Sequence, residues 1–262
     1  MRNLSKRGFF ISNKIGKAVA DYRLIEDKDK IIVAVSGGKD SLTMLKMLLE
    51  RRRWAPVSYD ILAVHVITDY HCAGCAARSY LEKFFEDNNC PYRFIEIRLK
   101  AQTKIPAAAR AAKGKQLKRD AGDISCFWCS WNRRKALFKL ASEIGYNKIA
   151  LGHHKDDVIE TILLNLFYNG EISAINARQP LFNGKVTIIR PLVYIEEREI
   201  RAYARESGLP KQACRCPNNA LSKRALMKRV ISDLEKGSSQ IKSNIFNAPT
   251  RIKSDYLCAK EM

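Results

Sequence analysis

The stretch Lys30-Ile31-Ile32-Val33-Ala34-Val35-Ser36-Gly37-Gly38-Lys39-Asp40-Ser41 decides the fold, and it runs on into Leu42-Thr43-Met44-Leu45-Lys46-Met47-Leu48-Leu49. A continuous apolar run of Ile and Val reads as a strand buried on both faces, as a parallel sheet requires. It breaks at Ser36-Gly37-Gly38, and helix periodicity follows, with Leu42, Leu45 and Leu49 on one face. Two glycines at a strand-to-helix turn let backbone N–H groups converge on an anion, and the helix N-terminus adds partial positive charge. Lys39 supplies a full charge and Ser41 a hydroxyl. The pattern is that of a phosphate cradle; a plain glycine turn opening an ordinary βα unit is the alternative.

The kind of cradle follows from what is missing. A Walker A loop needs a glycine where Val33 stands and Ser or Thr where Asp40 stands. The dinucleotide fingerprint needs a third glycine, and none follows. What remains, Ser36 to Ser41 after a buried strand, resembles the PP-loop of the ATP pyrophosphatases, which cleave ATP between the α and β phosphates.

Outward from this stretch, strands alternate with helices. A helix is expected over 9–28, with Ile11, Ile15, Ala18, Val19, Tyr22 and Ile25 at helical spacing. Strands are expected at 59–67, 92–97, 147–151 and, as a fifth, 185–190, with helices at 76–88, 136–144 (begun near Cys129), 158–167 and 195–207. This order implies an α/β fold with a doubly wound parallel sheet. The expected organisation is a helical segment over 1–28, an ATP-binding α/β domain over 29–199 and a basic helical extension over 200–262. Residues 101–122 interrupt the alternation with Lys104, Arg110, Lys113, Lys115, Lys118 and Arg119, either solvated decoration or a contact to a phosphate backbone.

Length and charge narrow the class. At 262 residues the chain can bury one large core, or a domain with an appendage. Its 47 Lys and Arg against 27 acidic residues give a net charge of +20, which favours a polyanionic partner, nucleic acid first. No apolar run approaches a membrane span. The basic Met1–Arg7 segment lacks a signal-peptide core, so a cytoplasmic protein is expected. In that compartment eight cysteines point to metal or thiol chemistry rather than disulfides.

Cys126-Phe127-Trp128-Cys129 and Cys214-Arg215-Cys216-Pro217 are two thiol pairs. Four thiolates can close a zinc site, three can hold an iron–sulfur cluster with one iron open, and C-x-x-C can also act as a redox pair or lie buried and inert. Cys72 and Cys75, beside His71, follow the second strand at the ligand-binding edge of the sheet. A second metal site, a sulfur relay and plain buried thiols are equal readings for them. Cys90 and Cys258 are isolated and read as structural. Gly152-His153-His154-Lys155-Asp156-Asp157 closes the 147–151 strand. Its carboxylates and imidazoles can bind Mg²⁺ or orient phosphate, or Asp156 can cap the next helix over a buried His153. Beside a PP-loop, Asp157 and Gly152 take the functional reading.

Taken in order, Ser36–Ser41, Cys126-x-x-Cys129 with Arg133-Arg134, Leu151–Asp157, Ile189-Arg190-Pro191-Leu192 and a cysteine near 216 resemble the tRNA 2-thiocytidine synthetase family of PP-loop enzymes, over about residues 15–231. More loosely they are similar to the 2-thiouridine synthetases. The resemblance implies an ATP-dependent tRNA thiolase with Mg²⁺ and a [4Fe-4S] cluster. Cys126, Cys129 and Cys216 (or Cys214) would be its ligands, Cys216 being preferred because Cys-Pro before a basic helix is similar to the family pattern. ATP would lie on Ser36, Gly37, Gly38, Lys39, Asp40 and Ser41, with His65 and Gly152 beside them, and Asp40, Lys39 and Asp157 would be the catalytic and charge-neutralising groups. Adenylation of a pyrimidine C2 oxygen would release pyrophosphate, and sulfide from the cluster would displace AMP. Arg133, Arg134, Arg190, Lys115, Lys118 and Arg119 would contact tRNA. The expected partners are tRNA, a sulfur donor (a cysteine desulfurase or free sulfide) and, as an option, a second copy of the chain. The alternatives are a PP-loop enzyme thiolating or amidating a small molecule, and a zinc-stabilised nucleic-acid-binding protein.

Overall fold

A computed structural model describes residues 4–69, 78–99, 126–209 and 223–256, with only the backbone at Cys126, Phe127 and Ser254. Cys72, Cys75, the 101–122 segment with Lys115, Lys118 and Arg119, and Cys214 and Cys216 lie outside the described residues. The described chain divides into two units, Met1–His154 with Asn176–Asn218, and Lys155–Ile175 with Asn219–Met262.

The first unit carries a six-stranded sheet in the order β3-β2-β1-β4-β6-β5. Its strands are β1 (Asp29–Ala34), β2 (Tyr59–Thr68), β3 (Tyr92–Ile97), β4 (Lys148–Ala150), β5 (Arg178–Leu181) and β6 (Val186–Ile189). All neighbours pair parallel except β5, which runs antiparallel to β6. The chain thus lays β2 and β3 to one side of β1, then crosses to place β4 on the other. Such a switch point opens a crevice at the carboxyl ends of the two strands, where doubly wound sheets bind ligands.

The strand read at 185–190 is therefore the sixth, and the short β5 before it escapes a reading by pattern because it holds only Arg178-Gln179-Pro180-Leu181. Proline lacks a ladder donor and is tolerated at a sheet edge, where β5 lies. Phe182, Asn183 and Gly184 turn the hairpin with φ of 53°, 55° and 84°.

Alternation along β1 feeds two cores. Ile32 meets Val64, Val66, Ile149, Val186 and Ile188 on one face, under Leu137, Leu140 and Ala141 of α4 (Cys126–Ile144). Ile31 and Val33 are also fully buried and point the other way, to the side where α2 (Lys39–Arg52) packs on β1 and β2, with α1 (Lys6–Tyr22) and α6 (Glu197–Glu206) against α2. The helix α3 (Arg78–Asp87) sets Phe85 against Tyr92 and Phe94 of β3. α1 stops earlier than the 9–28 periodicity suggests. Arg23 turns left-handed (φ 48°, ψ 51°), and Leu24 N–H closes back on Val19 O at 3.1 Å. Leu24 and Ile25 stay buried beyond the helix, which is why the apolar spacing overruns it.

At the amino edge, β1 and β4 are clamped by polar groups. The ammonium of Lys148, 3% exposed, lies 2.6 Å from the carboxylate of Asp29, 5% exposed. Asn147 Nδ2 donates to the same carboxylate at 2.7 Å, while Asn147 Oδ1 accepts from Lys30 N–H at 2.8 Å. A buried pair this well bonded fixes register, since a slipped strand would strand both charges.

The second unit consists, among the described residues, of α5 (Lys155–Asn169), α7 (Lys223–Glu235), α8 (Ile241–Asn247) and short 3₁₀ turns. Ile159 and Leu163 of α5 pack on Met227 and Ile231 of α7. No helix among the described residues is long and apolar enough to cross a membrane.

Candidate functional site

The Ser36–Ser41 turn stands at the carboxyl end of β1, in the switch-point crevice. Gly37 adopts φ 85°, which an L side chain rarely accepts. The turn is held by its own hydroxyls. Ser36 N–H donates to Ser41 Oγ at 3.2 Å, Ser41 Oγ donates to Gly38 O at 3.0 Å, and Gly38 N–H donates to Ser36 Oγ at 3.3 Å. Gly38 is the N-cap of α2 and offers no side-chain acceptor, so the first-turn N–H groups of α2 are left for an anion. A Cβ at Gly38 would meet only Ser36 Oγ, at an ordinary 3.5 Å. The protein therefore has room for a side chain there and leaves the space bare, as approach of a phosphate to the backbone requires.

Lys39 and Asp40 open α2. Lys39 Nζ lies 3.1 Å from Asp40 Oδ2 and 3.0 Å from Glu197 Oε1 on α6. The other oxygen of Asp40, Oδ1, is buried and has no hydrogen-bond partner among the described residues. A buried carboxylate oxygen left so costs about 1–3 kcal/mol, which a bound cation would offset. The residues therefore fit a hard divalent ion such as Mg²⁺, which takes oxygen ligands.

Two strand ends support the turn. His65 of β2, 2% exposed, donates its Nδ1–H to Val35 O at 2.7 Å, fixing the last peptide before the loop. Burial pushes the His65 pKa below its ordinary 6.5, against the bond to Val35, and the Arg133 charge adds to the fall; the ring is neutral near pH 7. From β4 comes Gly152. A Cβ on it would stand 3.2 Å from Ser41 N and 3.3 Å from Ser41 Cα, so glycine lets the chain leaving β4 touch the first turn of α2 through backbone alone.

The PP-loop domain family matches residues 131–215. The tRNA-cytidine(32) 2-sulfurtransferase of Geobacter sulfurreducens is 39% identical over 257 residues, covering 96% of this chain and 93% of that protein. The protein of the same name from Geobacter metallireducens is 38% identical over 261 residues, covering 98% and 95%. This chain belongs to the tRNA-cytidine(32) 2-sulfurtransferase family. Among solved structures, the U34-tRNA thiolase NcsA from Methanococcus maripaludis with its [4Fe-4S] cluster shares the fold, with a TM-score of 0.67 and 23% identity over 92% of this chain and 78% of that one.

The remaining sequence-read residues of this family member spread over both units. Cys126 and Cys129 lie one turn apart at the start of α4, and the Cys129 thiol is free and half-buried. Cysteines at this spacing suit a soft, sulfur-ligated group. Arg133 and Arg134 follow on the next turn of α4. Arg190, at the end of β6 and 6% exposed, meets only neutral acceptors among the described residues. They are Asn176 O, Gln179 Oε1 at 3.3 Å and His153 Nδ1 at 3.4 Å. Burial, and then the charge of Arg134, push its pKa down to about 10. A buried cation surrounded by neutral acceptors attracts an anion.

In the second unit, Asp156 and Asp157 lie in the first turn of α5. Asp156 Oδ1 is 2.9 Å from Lys242 Nζ, and Asp157 Oδ1 is 3.1 Å from Arg224 Nη1. Glu160, 1% exposed, receives Arg224 at 3.4 Å and Lys228 at 3.7 Å, and burial raises its pKa to about 7. Sequence reading missed Glu160 and Glu197. Glu160 pairs with Arg224 and Lys228 and Glu197 with Lys39, all distant in sequence, and no local spacing signals those contacts.

Proposed function

We propose that this protein thiolates tRNA at cytidine, converting position 32 to 2-thiocytidine, with ATP as the activating substrate and Mg²⁺ and a [4Fe-4S] cluster as cofactors. The supporting observation is the bare, glycine-closed cradle at the switch point, with the unsatisfied Oδ1 of Asp40 beside it, in a chain 39% identical to a named tRNA-cytidine(32) 2-sulfurtransferase.

The backbone N–H groups of the Ser36–Ser41 turn and the N-terminus of α2 hold the β and γ phosphates, and Lys39 neutralises their charge. Asp40 Oδ1 is the metal-facing oxygen. ATP is required because a ring carbonyl oxygen is a poor leaving group until it is adenylated. The base's C2 oxygen attacks the α-phosphorus and the α–β bridging oxygen departs with pyrophosphate. Sulfur then replaces the adenylated oxygen, and AMP leaves. Cys126, Cys129 and Cys216 would hold the cluster, which would supply the iron that carries sulfide to the activated base. The sulfide comes from a cysteine desulfurase or the free pool. Arg133, Arg134 and Arg190, with Lys115, Lys118 and Arg119, contact the tRNA phosphates, so affinity falls as salt rises. The setting is the cytoplasm, where tRNA is modified.

Two measurements test this reading. Nucleosides of tRNA from cells with and without this chain, analysed by mass spectrometry, should differ in 2-thiocytidine. Turnover with substrate tRNA should yield AMP and pyrophosphate; ADP and phosphate would refute the PP-loop chemistry.

A further inference from the structure

We infer that Glu197 is a positioning residue for the PP-loop lysine, dividing the Lys39 ammonium between two carboxylates so that Asp40 stays available to a cation. The inference rests on the reading above, in which Lys39 and Asp40 face the nucleotide and its metal. Glu197 is the first residue of α6, far in sequence from the loop, and its carboxylate is 18% exposed. Its Oε1 stands 3.0 Å from Lys39 Nζ and, at the same distance, from Arg201 Nη2 one turn along α6. Arg201 thus steadies the carboxylate, and the carboxylate steadies the lysine.

The charge arithmetic explains why a second acid is useful. Lys39 faces Asp40 Oδ2 at 3.1 Å with Glu197 on its other side, so the ammonium is shared. With Glu197 neutralised, Asp40 becomes the sole carboxylate partner of Lys39 among the described residues. A tighter Lys39–Asp40 pair draws electron density from the carboxylate whose Oδ1 has no partner, and a divalent ion would have to compete with a full ion pair. Glu197 therefore acts on the metal-assisted part of nucleotide binding, and acts through Lys39.

Calorimetric titration of the α,β-methylene analogue of ATP reads binding without turnover, with Mg²⁺ and with EDTA. Glu197→Gln should weaken binding in Mg²⁺ about tenfold, equivalent to about 1.4 kcal/mol, and change it less in EDTA. In a Lys39→Ala background the same substitution should cause no further loss, as a coupled pair requires. Glu197→Asp separates positioning from helix support. Aspartate serves a helix N-terminus as well as glutamate does but is one methylene short of Lys39. It should bind the analogue as poorly as Glu197→Gln while melting like the native protein. Rescue of binding by Glu197→Asp, or an undiminished loss in the Lys39→Ala background, would overturn the inference. Native-like binding by Lys39→Ala alone would instead overturn the phosphate cradle, a result visible before Glu197 is changed.

Discussion

Replacing Gly152 by alanine tests whether the two strand ends form one site. The backbone there has no positive φ, so alanine fits the conformation and, taken alone, would stabilise by about 0.4–1 kcal/mol through the unfolded chain. The added Cβ, however, would stand 3.2 Å from Ser41 N, 3.3 Å from Ser41 Cα and 3.4 Å from Asp40 C. These are backbone atoms and cannot rotate aside, so the first turn of α2 must retreat by a few tenths of an ångström. Overpacking of this kind costs about 1–3 kcal/mol, which outweighs the entropic gain. The net expectation is a loss of about 1–2 kcal/mol, a fall in Tm of about 2–6 °C. Nucleotide affinity should fall about tenfold, because the turn that moves is the one facing phosphate. Gly38→Ala is the companion measurement. Its Cβ meets only Ser36 Oγ at 3.5 Å, so folding should be untouched while nucleotide binding is lost. Calorimetric titration of an ATP analogue and thermal unfolding read both variants. A Gly152→Ala protein that melts higher and binds the analogue normally would refute the reasoning.

Three further outcomes are expected. Anaerobically purified protein should be brown and bleach in air, with colour lost in Cys126→Ala, Cys129→Ala and Cys216→Ala but kept in Cys214→Ala; colourless protein with zinc on all four thiols would exclude the sulfur-transfer chemistry. Glu160, raised from an ordinary 4.5 to about 7, binds more protons folded than unfolded between those values, so its contribution is full below pH 4.5 and lost as pH rises to about 7; urea unfolding across that window should fall less steeply in Glu160→Gln. Asp29→Ala leaves Lys148 buried without its closest partner and should destabilise by about 3 kcal/mol, measured by chemical unfolding, whereas an effect below about 1 kcal/mol would mean the clamp is not needed.

The sequence carries the frame of the site more clearly than its fittings. Ile31 to Ser41 announces a buried parallel strand and an anion-binding turn because both depend on neighbours in sequence. The chain order of the motifs places Gly152 at another strand end by the same logic. What stays hidden depends on partners brought close only by folding. No spacing reveals that Glu197 reaches Lys39, or that Arg190 is buried among neutral acceptors. Asp157 looks metal-binding in its motif, and the structure shows its carboxylate engaged by Arg224. The four-residue β5 is too short and too proline-marked for period-two reasoning to find.

The clamp of Asp29, Asn147 and Lys148 has a consequence for exchanging parts between relatives. β1 and β4 share only the pairs Ile31–Lys148, Ile32–Ile149 and Val33–Ala150. A slip by one residue would carry Gly152 about 3.3 Å along the strand, far more than the few tenths of an ångström that even an added Cβ there would demand of Ser41. The two strands behave as tongs whose hinge is the buried ion pair and whose tips are Ser41 and Gly152. A chimaera that imports β4 with its glycine but not a matched Asp29, Asn147 and Lys148 would keep every residue of the cradle and still close its tips in the wrong place.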